Sequence, residues 1–145
     1  MNFIKRNLLC GVLCAAVVFV FAEGANAQKA DYVVLTKAAL TRVVPTTFYF
    51  AGQIAPTQMR NAAAARVGKD RFIIAGLVDT SGYSTEIAGK YEGFFITDSP
   101  VRFGDETLET GAYGFGFTAD GKVNVFDLGS KEVLSTKAAS DASMK

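Results

Sequence analysis

The chain of 145 residues contains no histidine and no tryptophan, and it has only two cysteines and three prolines. Without histidine there is no imidazole base, no Ser-His-Asp triad and no imidazole ligand for a metal. Both cysteines, Cys10 and Cys14, lie near the N-terminus, so removal of that segment leaves no thiol nucleophile and no zinc thiolate. The sequence therefore excludes most catalytic chemistries, and it predicts no catalytic residue, no cofactor and no metal.

Residues 1–27 have the three parts of a secretory signal peptide. Lys5 and Arg6 precede an apolar run at positions 8–22, and Ala27 ends a small-x-small cleavage site. The run is shorter than the about 20 residues of a transmembrane helix, although an uncleaved anchor is the alternative interpretation. We expect an exported bacterial protein, periplasmic or secreted, that is cleaved near Ala27 and Gln28 and has no membrane span in its mature chain.

The mature chain is predicted to be neutral and free of disulfides. Cleavage removes Lys5, Arg6 and Glu23, which leaves 13 basic and 13 acidic side chains. A neutral chain with dispersed lysines and arginines argues against a nucleic-acid partner. Exported domains without disulfides depend on packing and backbone pairing for stability. We expect one soluble β-rich domain over residues 28–136 and a flexible C-terminal tail over residues 137–145.

Strand-like segments dominate the mature chain. They are joined by short turns and comprise Thr46–Gln53, Arg71–Val78, Lys90–Thr97, Ala112–Thr118 and Lys122–Leu128. Thr57 after Pro56 fits a helix N-cap, and the run of alanines at 62–65 favours a helix near 57–67. Residues 31–44 fit either a helix or a strand. The prediction is a mainly β fold, bordering on α+β: an antiparallel β-sandwich or partly closed barrel with one short helix near 57–67.

The pair Asp120-Gly121 is typical of a two-residue β-hairpin turn. That turn predicts the pairs Ala119–Lys122, Phe117–Asn124, Phe115–Phe126 and Tyr113–Leu128. One strand face then carries aromatic side chains, and the other carries Gly114 and Gly116 opposite Asp127 and Val125. The glycine face is either covered by another segment, which is the favoured interpretation, or open to a ligand or partner.

Six residues are candidates for contact with a ligand or partner. Tyr83 and Tyr91 are candidates because a tyrosine can remain half exposed. Gly114 and Gly116 are candidates because they leave a flat strand face. Arg60 and Asn61, with Gln58, form a polar cluster on the predicted helix, although a solvent-facing helix side is the more ordinary explanation.

Two catalytic arrangements survive the exclusions. Acidic side chains could pair across a sheet, as in glycoside hydrolysis, and Ser81 or Ser84 could act with Lys90. Turn-capping roles are favoured, because Asp79 and Asp98 both begin turns. The sequence therefore predicts a non-enzymatic exported domain that binds a protein partner or a small apolar ligand. The alternatives are an envelope-associated structural protein and, third, a carboxylate-dependent or Ser-Lys-dependent hydrolase.

A resemblance accompanies these patterns. The segments that carry it are TTFYFAGQ, APTQMRNAA, LVDTSGYS, KYEGF and LETGAYGFGFTADGK. Together with Leu108, Gly111 and Tyr113, they resemble families of small exported bacterial β-rich proteins, including β-sandwich families, that have no assigned activity. The resemblance implies an exported β-rich domain, and it assigns no functional residue.

Overall fold

The structure is a computed structural model, and it describes residues 31–88 and 90–139. The predicted signal peptide, residues 1–27, and positions 140–145 of the predicted tail lie outside the described residues. Within the described part the chain forms ten strands and two short helices. Their order is β1 (Tyr32–Val34), α1 (Lys37–Val43), β2 (Thr47–Phe50), β3 (Gln53–Val67), β4 (Arg71–Val78), α2 (Thr85–Ala88), β5 (Gly93–Thr97), β6 (Val101–Phe103), β7 (Glu106–Leu108), β8 (Gly111–Phe117), β9 (Lys122–Phe126) and β10 (Glu132–Lys137).

The main sheet is antiparallel and open. Its strand order is β1-β3-β4-β5-β8-β9-β10, with β2 paired to the first part of β3, while β6 and β7 form a separate two-stranded ribbon. The predicted mainly β, antiparallel fold is confirmed. The partly closed barrel is wrong, because β1 and β10 remain edge strands at opposite ends of the sheet.

The predicted helix near 57–67 is also wrong, because these residues belong to the 15-residue strand β3. Alanine favours a helix by only a few tenths of a kcal/mol per residue, and tertiary pairing overrides that preference. Ala62 to Ala65 pair residue by residue with Gly76 to Ile73 of β4. The undecided stretch 31–44 contains both structures, the strand β1 followed by the helix α1.

Strand β3 bends in its middle. Thr57 lies opposite Val78 and Ala62 opposite Gly76, so four residues of β3 face a single residue of β4. Side chains within this bulge hold it: the Gln58 amide donates to the carbonyl of Val78 at 2.9 Å, and the Asn61 amide donates to Gln58 at 2.7 Å. The bend lets the first part of β3 carry β2 across one face of the sheet.

The hairpin at Asp120-Gly121 forms, but its register differs from the prediction by one residue. Phe115 pairs with Val125 and Phe117 with Val123. The loop has three residues: the amide of Thr118 donates to the carbonyl of Lys122 at 2.9 Å, and Gly121 adopts a left-handed φ of 78°. Because strand side chains alternate, the shift moves Phe126 onto the same face as Gly114.

The two faces of the sheet are covered unequally. On the first, which we call the covered face, α1 and β2 lie over the strands and the main core forms, with buried members that include Leu40, Val44, Phe48, Phe50, Ile74, Tyr91, Phe94 and Phe126. On the second, the open face, a smaller core of Leu108, Val125 and Leu134 lies against partly buried Phe95, Phe103 and Phe115. Within residues 31–88 and 90–139, the ribbon β6–β7 therefore covers one part of the open face.

Candidate functional site

An apolar trough runs over the open face. It consists of three recesses that share lining residues, and it is built because cross-strand partners lie on the same side of a sheet. Ala63 pairs with Ala75, and Ala75 pairs with Phe95, so that three strands contribute one continuous row. Hydrogen-bonded strands hold this row in place.

The aromatic recess is a part of the trough that is lined by apolar residues alone. It has a volume of about 280 Å³ and is lined by Ala75, Phe95, Phe103, Phe115, Phe117, Val123 and Val125. Two edge-to-face ring pairs form its walls, Phe95 with Phe103 at 5.4 Å between centroids and Phe115 with Phe117 at 5.7 Å. Gly93 makes room for one wall, since a Cβ there would lie 2.6 Å from Cζ of Phe115.

The alanine recess continues the trough from Ala75. It has a volume of about 180 Å³ and is lined by Val34, Ala63, Ala64, Ala65, Ile73 and Ala75. Because the methyl side chains of Ala63, Ala65 and Ala75 are short, they form a floor, while Val34 and Ile73 rise beside it. Two members of the run of alanines that favours a helix in the sequence, Ala63 and Ala65, therefore form part of the floor of a trough in the sheet.

The third recess has a polar side and is called the polar-end recess. It has a volume of about 370 Å³ and is lined by Tyr32, Ala65, Val67, Arg71, Ile73, Ser99 and Pro100. Arg71 is the one charged side chain among the described residues that line the three recesses. Ser99 is buried, and its Oγ has no hydrogen-bond partner within the described part of the chain.

The backbone amide and carbonyl of Ser99 both form hydrogen bonds with the side chain of Thr97. The amide of Ser99 donates to Thr97 Oγ1 at 3.1 Å, and the Thr97 hydroxyl donates to the carbonyl of Ser99. These bonds hold the turn after β5 in place and leave only the Ser99 hydroxyl unused. A buried hydroxyl without a partner costs free energy, so it marks a position where a ligand group could supply the missing bond.

The predicted contact residues Tyr83 and Tyr91 lie together against the main core. Their ring centroids are 6.4 Å apart, and Tyr91 is fully buried with its hydroxyl 3.4 Å from the carbonyl of Phe48. Burial raises the pKa of both phenols, and for Tyr91 the neighbouring Tyr83 adds to the rise. Tyr91 thus packs the covered face, which leaves Tyr83 as the only one of the two with partial exposure.

The glycine face is covered by the chain itself, as the favoured interpretation expected. A Cβ at Gly114 would lie 2.5 Å from the ring of Phe50, and one at Gly116 would lie 2.7 Å from the carbonyl oxygen of Lys90. The glycines face Phe126 and Asn124 rather than Asp127 and Val125, because the hairpin register is shifted. Gly116 also contributes to a recess of about 310 Å³ at the sheet edge, lined by Lys90, Gly116, Thr118, Asn124, Phe126 and Glu132.

Arg60 and Asn61 are exposed, and they lie in the bulge of β3 rather than on a helix. Asn61 already bonds to Gln58 within that bulge. The six predicted residues therefore do not form one site: the tyrosines and glycines lie on the covered side of the sheet, and the bulge holds the other two.

Several of the side chains named as catalytic candidates instead form ion pairs or hydrogen bonds with residues close to them in the sequence. Lys90 lies 3.6 Å from Glu86, and Ser84 Oγ accepts from the amide of Ile87 at 3.5 Å at the start of α2. Asp79 accepts from the amide of Ser81 at 3.0 Å, and this bond lowers the pKa of Asp79. Among residues 31–88 and 90–139, no three acidic side chains come together as a metal site, and no helix is long and apolar enough to span a membrane.

Comparison with known proteins found no matching family model, no matching curated protein and no matching solved structure. The resemblance to exported bacterial families therefore stays a prediction. The trough was missed in the sequence because it depends on pairing between residues far apart in the chain. The local pattern that relates to the trough is the run of alanines at 62–65, together with the phenylalanines of β5 and β8.

Proposed function

We propose that this protein is an exported, non-enzymatic binding domain whose trough holds a small apolar ligand. The observation that carries the proposal is the aromatic recess, a concave surface of about 280 Å³ lined by seven apolar residues on the open face of the sheet. Ligand sites are typically concave and apolar with a few polar groups, and this trough has that composition. Export is supported by the signal-peptide pattern of residues 1–27.

The free energy for binding would come from burying apolar surface that the fold itself leaves in contact with water. Phe117 remains 48% exposed although it forms a wall of the recess. Removing apolar surface from water stabilises a complex by about 25 cal/mol per Å². Because the ring pairs are held by hydrogen-bonded strands, little conformational entropy is lost when a ligand enters.

The proposal is tested with a neutral apolar fluorophore, N-phenylnaphthylamine, titrated into the mature protein. We expect saturable binding that Phe117→Ser weakens by about tenfold, since it removes one aromatic wall. Tyr49→Ser is the matched control, because Tyr49 is 50% exposed and lies on β2, away from the trough. Equal affinity of both variants, or no saturable binding by the unaltered protein, would contradict the proposal.

The oligomeric state of the protein distinguishes a trough that binds a small ligand from a trough that binds a second copy of the chain. Sedimentation of the free protein at increasing concentration should show a monomer. A dimer that Phe117→Ser dissociates and Tyr49→Ser leaves intact would show that the trough is a protein interface instead.

A further inference from the structure

We infer that the trough is specific for a single-chain amphiphile with an anionic carboxylate end, such as a long-chain fatty acid. The inference rests on the proposed function, since it adds a polar end to the apolar ligand. The inference is based on the polar-end recess of the trough, where the cation Arg71 and the unpartnered buried hydroxyl of Ser99 lie at one end of a continuous apolar surface.

The three recesses form one path. Ala75 lines both the aromatic recess and the alanine recess, while Ala65 and Ile73 line both the alanine recess and the polar-end recess. From Arg71 on β4 to the aromatic walls on β8 and β9, strand spacing and residue rise give a path of about 20 Å. A narrow path of this length fits an extended hydrocarbon chain better than a compact ring system.

The polar end has the charge of a site for an anion. Arg71 is exposed and lies in one cross-strand row with Val67 and Tyr32, on the open face. The nearby carboxylate of Asp98 accepts from the backbone amide of Phe72 at 3.0 Å, and the Phe72 side chain packs against the main core of the covered face. The two ion pairs of the described residues, Lys90–Glu86 and Lys122–Asp120, involve neither Arg71 nor any other trough residue.

The two polar groups suit a carboxylate in particular. A guanidinium presents two parallel N–H donors that match the two oxygens of a carboxylate. The Ser99 hydroxyl can donate a further hydrogen bond to the carboxylate. This bond would give the buried hydroxyl the partner that it lacks. A neutral alcohol or ester could use the serine but would gain little from the arginine.

The decisive experiment compares palmitic acid with its methyl ester by displacement of N-phenylnaphthylamine, below the concentration at which either ligand forms micelles. We expect the unaltered protein to prefer the acid by about tenfold or more. Arg71→Gln should abolish that preference, because it removes the cation that pairs with the carboxylate of the acid. Arg66→Gln is the control: Arg66 is an exposed arginine on the neighbouring strand β3, on the opposite face of the sheet, and its loss should leave the preference intact.

Ser99→Ala gives a second, independent readout. If the hydroxyl is reserved for the ligand, its removal should leave the melting temperature of the free protein unchanged or raise it, because an unpartnered buried group is lost. The same variant should bind palmitic acid several-fold more weakly.

The outcomes separate the two proposals. Equal affinity for acid and ester, with the fluorophore still bound in the trough, would overturn this inference and leave the proposed function standing. Failure of the fluorophore and both palmitoyl ligands to bind would overturn both. Binding to vesicles of anionic phospholipid without binding to free palmitic acid would also overturn this inference, because it would place the protein on a lipid surface.

Discussion

The covered and open faces of the main sheet are made by the same strands, yet they differ in how completely their apolar side chains are packed. On the covered face, glycine backbone and aromatic rings fit closely, as where Phe50 lies over Gly114. On the open face, alanines of β3 and β4 adjoin phenylalanines of β5 and β8, and among the described residues β6 and β7 lie above part of this surface. We therefore expect stability to depend mainly on the covered face, whereas the open face holds the apolar trough proposed as a binding site.

The largest expected effect is on the covered face. Phe50 is 1% exposed and packs against both Tyr91 at 4.6 Å and Phe126 at 6.2 Å between ring centroids. Phe50→Ala should lower the free energy of unfolding by about 3–5 kcal/mol, because it removes a buried ring and leaves a cavity. Urea unfolding followed by tyrosine fluorescence measures this, and a loss below about 1 kcal/mol would contradict the assignment of the core.

Overpacking the covered face should be the next largest effect. Gly114→Ala places a Cβ 2.5 Å from the ring of Phe50, so that ring or the strand must shift. We expect a loss of about 1–3 kcal/mol in the free energy of unfolding. Gly82→Ala serves as the comparison, because a Cβ at Gly82 meets nothing within 4 Å. If the two substitutions had equal effects, the close contact of Phe50 with Gly114 would be wrong.

The buried phenol of Tyr91 predicts a pH dependence at alkaline pH. Burial raises the pKa of Tyr91 in the folded state above its ordinary value of 10.0, so the unfolded state loses its proton first. The contribution of Tyr91 to the free energy of unfolding should be constant up to about pH 9 and fall as pH rises through and above 10. Tyr91→Phe should flatten this fall in urea titrations at several pH values. An unchanged slope in that variant would assign the dependence to another group.

The smallest effect is expected on the open face. Phe117 is 48% exposed and contacts Phe115 edge to face at 5.7 Å. Phe117→Ser should lower the free energy of unfolding by no more than about 1 kcal/mol, although we expect it to weaken binding of N-phenylnaphthylamine about tenfold. Thermal melting of the variant with and without N-phenylnaphthylamine separates the loss of stability from the loss of binding. A loss as large as that of Phe50→Ala would abolish the distinction between the faces.

Local patterns in the sequence predicted part of this structure. The hairpin at Asp120-Gly121 was predictable because turn preference acts over a few residues. Its register was not, since the hydroxyl of Thr118 accepts from the amide of Lys122 at 3.0 Å and supports a loop that is one residue longer. The helix predicted near 57–67 failed for a related reason: the alanines indicate a helix locally, but β4 offers pairing along their whole length.

The trough was beyond prediction from local patterns. Its floor and walls come from β3, β4, β5, β8 and β9, and its polar end combines Arg71 with Ser99, which follows another strand. In the sequence, Asp98 indicates only the start of a turn. Nothing in the order of residues shows that the Ser99 hydroxyl is buried without a partner.

By itself the sequence determined the strand-rich character, the positions of most turns and the absence of histidine chemistry, because these depend on residue type and short-range preference. The tertiary structure alone decided which side chains share a face, since a shift of one residue in pairing moves every side chain to the other side of a strand. It also decided which face α1 and β2 cover. The trough exists because those elements lie over the glycine face and leave the alanine and phenylalanine face open.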